Sequence, residues 1–373
     1  MKLTPNPQKK IDNLSPSKVV EDQKKQKLIS QRVIMSALVA LSLLTSCETE
    51  VDITAPWQNI PVVYCVLDTA DPVHYIRIQR AFLGNQNAYE MAQHSDSLIY
   101  QNSLDVKLKV LNSSKRVVQT LDFQRFYIDK DSLNQHGEAI FGRENHHVYR
   151  SQDQLSFGGN YSYQLEINFP DGKRIVAENK ALEDFRQREP ASGTAYNLTR
   201  NSGFGPKFWA PKNAGAVKVI MHFHYYEFTA PHVYQRKTIT IPVETTRVKP
   251  DAENSVTILT NDIFKKFIEN IEIAPPGVLR FLGKVDFEYY IADQTFADQL
   301  FRRNAGLSGE INPVSNIDGA YGIFAWRLHV KRIGFKSSTQ SRNAFNQDVE
   351  LRLRGFPPAI TYLNNDYQID LLP

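Results

Sequence analysis

The chain has 373 residues, 42% hydrophobic and 23% charged, with a formal charge of +4. That balance fits about two folded domains and excludes a disordered or collagen-like chain. The charge is concentrated: residues 1–46 hold eight Lys/Arg against three Asp/Glu, which leaves the rest close to neutral. A near-neutral body has no electrostatic means of following a phosphate backbone, so nucleic acid is not expected as a partner.

Residues 1–23 are polar, contain Pro5, Pro7 and Pro16, and carry no apolar period. They read as a disordered segment or as an extension from a start codon placed too far upstream. Residues 24–46 read as a secretory signal. Lys24, Lys25, Lys27 and Arg32 precede the apolar run 33–44, which falls short of the roughly 20 residues a bilayer span takes. Met35 is a poor alternative start, because it would delete that basic region. Leu44-Thr45-Ser46-Cys47 resembles the bacterial lipobox. The resemblance implies that Cys47 becomes the acylated N-terminus and ties the protein to a lipid bilayer, with several acyl chains making attachment effectively permanent. Residues 47–59 are then a tether. Within it Glu48-Thr49-Glu50-Val51-Asp52 resembles the acidic tract of surface-exported lipoproteins of Bacteroidota, which implies an outer-membrane protein facing the cell surface. Of the two cysteines, Cys65 lies in the apolar stretch Val62–Leu67. It is expected to be a small buried hydrophobe, so no disulfide is expected.

The body reads as mainly β. Residues 60–188 hold short runs at Pro61–Leu67, Val73–Phe82, Val106–Leu111, Val117–Phe123 and His146–Arg150. The clearest signal is Tyr161, Tyr163, Leu165, Ile167 and Phe169 alternating with polar residues, followed by the turn Pro170-Asp171-Gly172 and a return at Arg174–Ala177. This pattern predicts an N-terminal immunoglobulin-like antiparallel sandwich. Residues 189–215 read as a linker, and 216–373 as a second β-rich domain with about two inserted helices. In that domain Val217, Val219, Met221, Phe223 and Tyr225 alternate, and Lys237–Val248 is the expected partner strand. Asn261–Ile271 takes helical spacing, capped by Thr260 or Asn261, and Asp293 is placed to cap a helix burying Phe296, Leu300 and Phe301. Phe281–Ile291 and Phe324, Trp326, Leu328 and Val330 return to alternation.

The lipobox, the acidic tether, Ile60-Pro61-Val62-Val63, Gly159–Tyr163, Phe169–Gly172 and Asn316–Phe324 together resemble a large uncharacterised lipoprotein family of Bacteroidota. Its members are commonly encoded near TonB-dependent transporters. Ala320 stands where that family's late motif carries a glycine. The resemblance implies a surface accessory role beside an outer-membrane β-barrel, and it supplies no catalytic residues.

Motifs that fix a chemistry by spacing (GxSxG, HExxH, CxxC, a P-loop, GxGxxG) are absent from the sequence. No enzymatic activity and no cofactor are expected. His222 and His224 lie two apart on one strand face, a spacing a metal can use, but the sequence names no third ligand. Asp286 and Glu288 also share a face, about 7 Å apart, and beside Lys284 they read as solvated acids. Phe208-Trp209, Tyr225-Tyr226 and Tyr289-Tyr290 are aromatic pairs, from which Trp209 and Tyr226 are singled out as ligand or partner contacts. Thr69, Ser97 and Ser132 each sit in a tripeptide that resembles the O-glycosylation sequon of exported Bacteroidota proteins. Two functions follow from this reading: a non-enzymatic accessory or scaffold subunit of an outer-membrane transporter or assembly, or a free-standing binder of glycan or another surface ligand.

Overall fold

The computed structural model describes residues 60–81, 98–128, 147–158, 160–304, 315–367 and 369. The protein is mainly β, as the alternation predicts. Its first strands are β1 (Ile60–Asp68), β2 (His74–Ala81), β3 (Asp105–Leu111), β4 (Val117–Tyr127), β5 (His147–Ser151), β6 (Ser162–Asn168) and β7 (Arg174–Asn179). Short strands β8 (Arg186–Glu189), β9 (Gly203–Phe204) and β10 (Lys207–Trp209) lead into a long hairpin, β11 (Ala214–Ala230) and β12 (Val233–Pro242). Then come β13 (Thr246–Arg247), β14 (Glu253–Ser255), β15 (Ile258–Leu259) and helix α1 (Thr260–Asn270). The chain closes with β16 (Leu279–Asp293), α2 (Gln294–Asn304), β17 (Tyr321–Phe335), α3 (Thr339–Gln347) and α4 (Val349–Leu353).

Local sequence explains the strands directly. Tyr163, Leu165 and Ile167 of β6 are fully buried, as period-two alternation on a half-buried strand requires. The chain then reverses between Phe169 and Lys173, with Gly172 at φ +86°, a conformation that favours glycine. Most of the strands join one sheet in the order β12-β11-β16-β17-β1-β2-β5-β4-β3-β6-β7, with β13 beside β11. β4 changes partner along its length: Val117–Phe123 pairs with β3, and Gln124–Tyr127 with β5. The sheet thereby folds over a shared interior, where Trp326 of β17 meets Tyr163 of β6 at a ring-centroid distance of 4.6 Å.

This topology corrects the expected division into two domains. Pro56–Pro373 is one unit, because β17 belongs to both halves. Tyr321–Arg327 runs parallel to Val62–Asp68 of β1, and the rest of β17 runs antiparallel to β16. The antiparallel sandwich expected over 60–188 therefore borrows a parallel strand from the far end of the chain. Gly322 permits that approach: its φ is +106°, and a Cβ there would lie 1.9 Å from the Val63 carbonyl oxygen. The expected linker, 189–215, is also corrected, since Tyr196, Leu198, Phe204 and Phe208 are buried. Their spacing follows the surfaces they fill rather than a strand period, so the polar residues between them read as a linker.

Both expected helices are present, as α1 and α2, and α3 and α4 add two more. Asp293 caps α2 as predicted, its Oδ1 accepting the Phe296 N–H at 2.8 Å. α1 differs. Leu259 holds the cap position, while Thr260 lies inside the helix and donates its hydroxyl to the Thr199 carbonyl at 2.7 Å. Phe264 and Phe267 of α1 pack with Phe345 of α3, and Phe267 also meets Phe223 of β11.

Candidate functional site

The inward residues of β11, β16 and β17 set the phase of their outward ones. Val219, Met221, Phe223, Val285, Phe287 and Tyr289 are buried against the core. The strand register therefore places His222, His224, Asp286, Glu288, Tyr290, His329 and Lys331 together on the outer face. The two histidines and two acids seen separately in the sequence form cross-strand pairs. His222 Nε2 lies 3.0 Å from Glu288 Oε2, and its Nδ1 lies 3.1 Å from Thr240 Oγ1 on β12. One strand step away, His224 Nε2 lies 2.9 Å from Asp286 Oδ2 and its Nδ1 lies 2.8 Å from Thr238 Oγ1. Arg236 Nη2 also approaches His224 Nε2, at 3.2 Å. The Gly334 N–H donates to Asp286 Oδ1 at 2.7 Å.

Glu288 is the centre of this ladder. Besides His222 it accepts from the Tyr290 hydroxyl at 2.9 Å, from His329 Nε2 at 2.7 Å and from Lys331 Nζ at 3.2 Å. The Tyr290 and His329 rings stack at 4.6 Å with 7° between planes, which fixes both donors. Burial alone would raise the Glu288 carboxyl, but these hydrogen bonds outweigh it and hold it down to about 2. Asp286 is treated the same way: burial opposes, while His224 and the Gly334 N–H lower it below the usual carboxylate range. The expectation of solvated acids is thus corrected. Glu288 is 8% exposed, and its four donors match the roughly four lone-pair sites of a carboxylate. An ionised, saturated carboxylate is neither a general acid nor an available base at neutral pH. Among the described residues no group of three or more His, Cys, Asp or Glu is arranged to hold a metal ion.

Covered surfaces bound the ladder at both ends. Ala297 of α2 packs on Ala216 and Ala292, where a Cβ on Gly215 would lie 2.7 Å from the Ala297 Cβ. At the other end Tyr362 and Tyr367 lie against Phe281, and Tyr367 also meets Phe228. Through β17 the same outer face continues onto β1, β2 and β5, where it changes character. Tyr321 sits beside Val62, Tyr64 beside Arg77, and Tyr75 beside Arg150.

The residues singled out from the sequence are scattered. Tyr226 is on the outer face as expected, yet fully buried: its ring lies over Gly283, which has no side chain, and against Tyr234 at 5.7 Å. It is therefore corrected as a contact residue. Trp209 lies on β10 rather than in a loop, half-buried, with its indole N–H donated to Asp251 and Arg186 over its ring. Thr69 lies in the turn after β1, where the Asp68 carboxylate accepts the Ala70 N–H. Cys47, Ser97 and Ser132 lie outside the described residues. Cys65 is fully buried, and burial pushes its thiol up. His329 and Lys331 were missed, although their phase opposite Phe324 and Trp326 marks them as outward. Comparison with known proteins finds no family model that matches the chain and no similar curated protein.

Proposed function

We propose that this protein is a non-enzymatic, lipid-anchored outer-membrane protein that faces the cell surface and serves as an accessory or scaffold subunit of a transporter barrel or related assembly. The anchor is Cys47, and the β-body is the part presented to the partner. The observation that carries this reading is the saturated ladder on an open sheet face. Histidine, carboxylate and hydroxyl groups bond one another across four strands, an arrangement suited to a stiff contact surface rather than to turnover. The alternative, a free-standing glycan binder, would be favoured by a groove lined with accessible rings. The groove of about 460 Å³ between β8 and the end of β17 contains Phe185 and Phe335, both at least 92% buried, and Trp209 does not line it. Those features favour the scaffold reading.

The test is purification of the acylated protein from outer membranes in gentle detergent, followed by mass spectrometry of what accompanies it. A stoichiometric β-barrel partner is the expected result. Elution of the protein alone would remove the accessory role and return attention to a ligand.

A further inference from the structure

The tyrosine–arginine part of the outer face has a composition unlike the ladder. Tyr64, Tyr75 and Tyr321 are 41%, 48% and 43% exposed, on three neighbouring strands. Their backs carry the core residues Val63, Cys65, Ile76 and Phe324, so the three rings are committed to the outer side. Arg77 stands directly across from Tyr64, and Arg150 across from Tyr75 with its guanidinium 3.9 Å from the Phe126 ring. Neither arginine forms an ion pair with a described residue, whereas Asp68, the carboxylate on this face of β1, is already held by Arg327 at 3.0 Å. Among the described residues the face therefore sets these two arginines among amphipathic rings, with Asp122 and Asp153 lining the same groove as Arg150.

We infer that this face docks on the phosphate-bearing headgroups of the bilayer that holds the Cys47 acyl chains. The inference rests on the lipid-anchor reading. Twelve residues separate Cys47 from Ile60, a span that cannot exceed about 45 Å at roughly 3.5 Å per residue. The start of β1, and with it Tyr64 and its neighbours, therefore stays within about that distance of the anchor. Tyrosine places its ring at the acyl–headgroup boundary and its hydroxyl in water. Arginine offers a planar fork of donors to phosphate. Each cation near an anionic surface favours contact by several-fold, and the tether converts that weak attraction into an intramolecular one. Docking would fix which way the body faces, something a flexible anchor cannot do.

The experiment uses the acylated full protein in vesicles of phosphatidylcholine with phosphatidylglycerol. Acylation occupies Cys47 and burial shields Cys65, so Tyr75→Cys supplies a single reactive thiol for an environment-sensitive dye. Ile360→Cys, at a position 72% exposed on the C-terminal segment, is the control. The expected result is a blue shift at position 75 and not at 360, reversed in 1 M salt, where the screening length falls to about 3 Å. Arg77→Ala with Arg150→Ala should lower the docked-to-free ratio roughly thirtyfold. A dye at 75 that stays water-exposed while the protein floats with vesicles would overturn the docking and leave the anchor intact. Absence of the diacylglyceryl mass and of flotation would overturn the anchor, and the docking inference with it. Equal shifts at both positions, or a shift insensitive to salt and to the arginines, would overturn the assigned face.

Discussion

Single side chains show how far burial changes the meaning of a residue. Glu288 reads as a surface acid because it alternates with core residues, yet four donors from three strands surround it. Glu288→Gln removes the charge those donors face and should cost about 1–3 kcal/mol in urea unfolding at neutral pH. The sign of its pH dependence follows from the depressed carboxyl. Its stabilisation is complete above the ordinary value of 4.5 and is lost as pH falls toward about 2. The stability gap between wild type and Glu288→Gln should therefore narrow across that window; a gap constant from pH 7 to pH 2 would refute the assignment. Asp293 teaches the complementary lesson. Its capping role was legible from sequence, but its second oxygen also accepts from Asn179 Nδ2 and from the Trp326 N–H, both at 2.8 Å. Only the fold brings β7 and β17 to that carboxylate, and burial there raises it above the ordinary aspartate value.

Elements were legible where the periodic pattern was long. β1, β3, β6, β11, β16 and β17 coincide with runs of alternating residues, and α1 and α2 with helical spacing, because each buries one face. α3 and α4 were missed: Ser341, Phe345 and Leu351 are their buried anchors, too few for a period to emerge. Hairpin pairing was legible, as in β6 with β7 and β11 with β12, but pairing between distant strands was not. The parallel contact of β1 with β17 depends on Gly322, which has no room for a Cβ beside the Val63 carbonyl. Gly322→Ala should destabilise the protein by at least about 3 kcal/mol, read by chemical denaturation. Gly319→Ala provides a comparison: it shares a positive φ but has open space around it, so its cost should be limited to backbone strain of about 1–2 kcal/mol.

At the scale of the whole molecule, the shared strand makes the body one cooperative unit. A fragment covering 56–189 keeps β1 to β8 but lacks β17, and with it Trp326, which packs on Tyr163 and Phe157. Such a fragment should fail to fold, giving a disordered amide spectrum, while the intact 56–373 body should unfold in a single transition. A folded 56–189 fragment would restore the two-domain view. The same sheet carries both features of its outer side, the histidine–carboxylate ladder on β11, β16 and β17 and the exposed tyrosines on β17, β1 and β2, with the buried Ile323 and Ala325 between them.

The sequence by itself determined the mainly β character, most strand positions, the two principal helices and the phase that turns each side chain in or out. These depend on local periodicity, which every residue carries in its own hydrophobicity. The tertiary structure alone decided that 60–188 and 216–373 share one sheet, that 189–215 anchors itself through buried Tyr196, Leu198, Phe204 and Phe208, and that His222 meets Glu288 while His224 meets Asp286. Those facts depend on register between strands 66 and 62 residues apart, and on β1 finding a partner some 259 residues along the chain. Local pattern specifies which face of a strand is apolar, but not which distant strand will cover it.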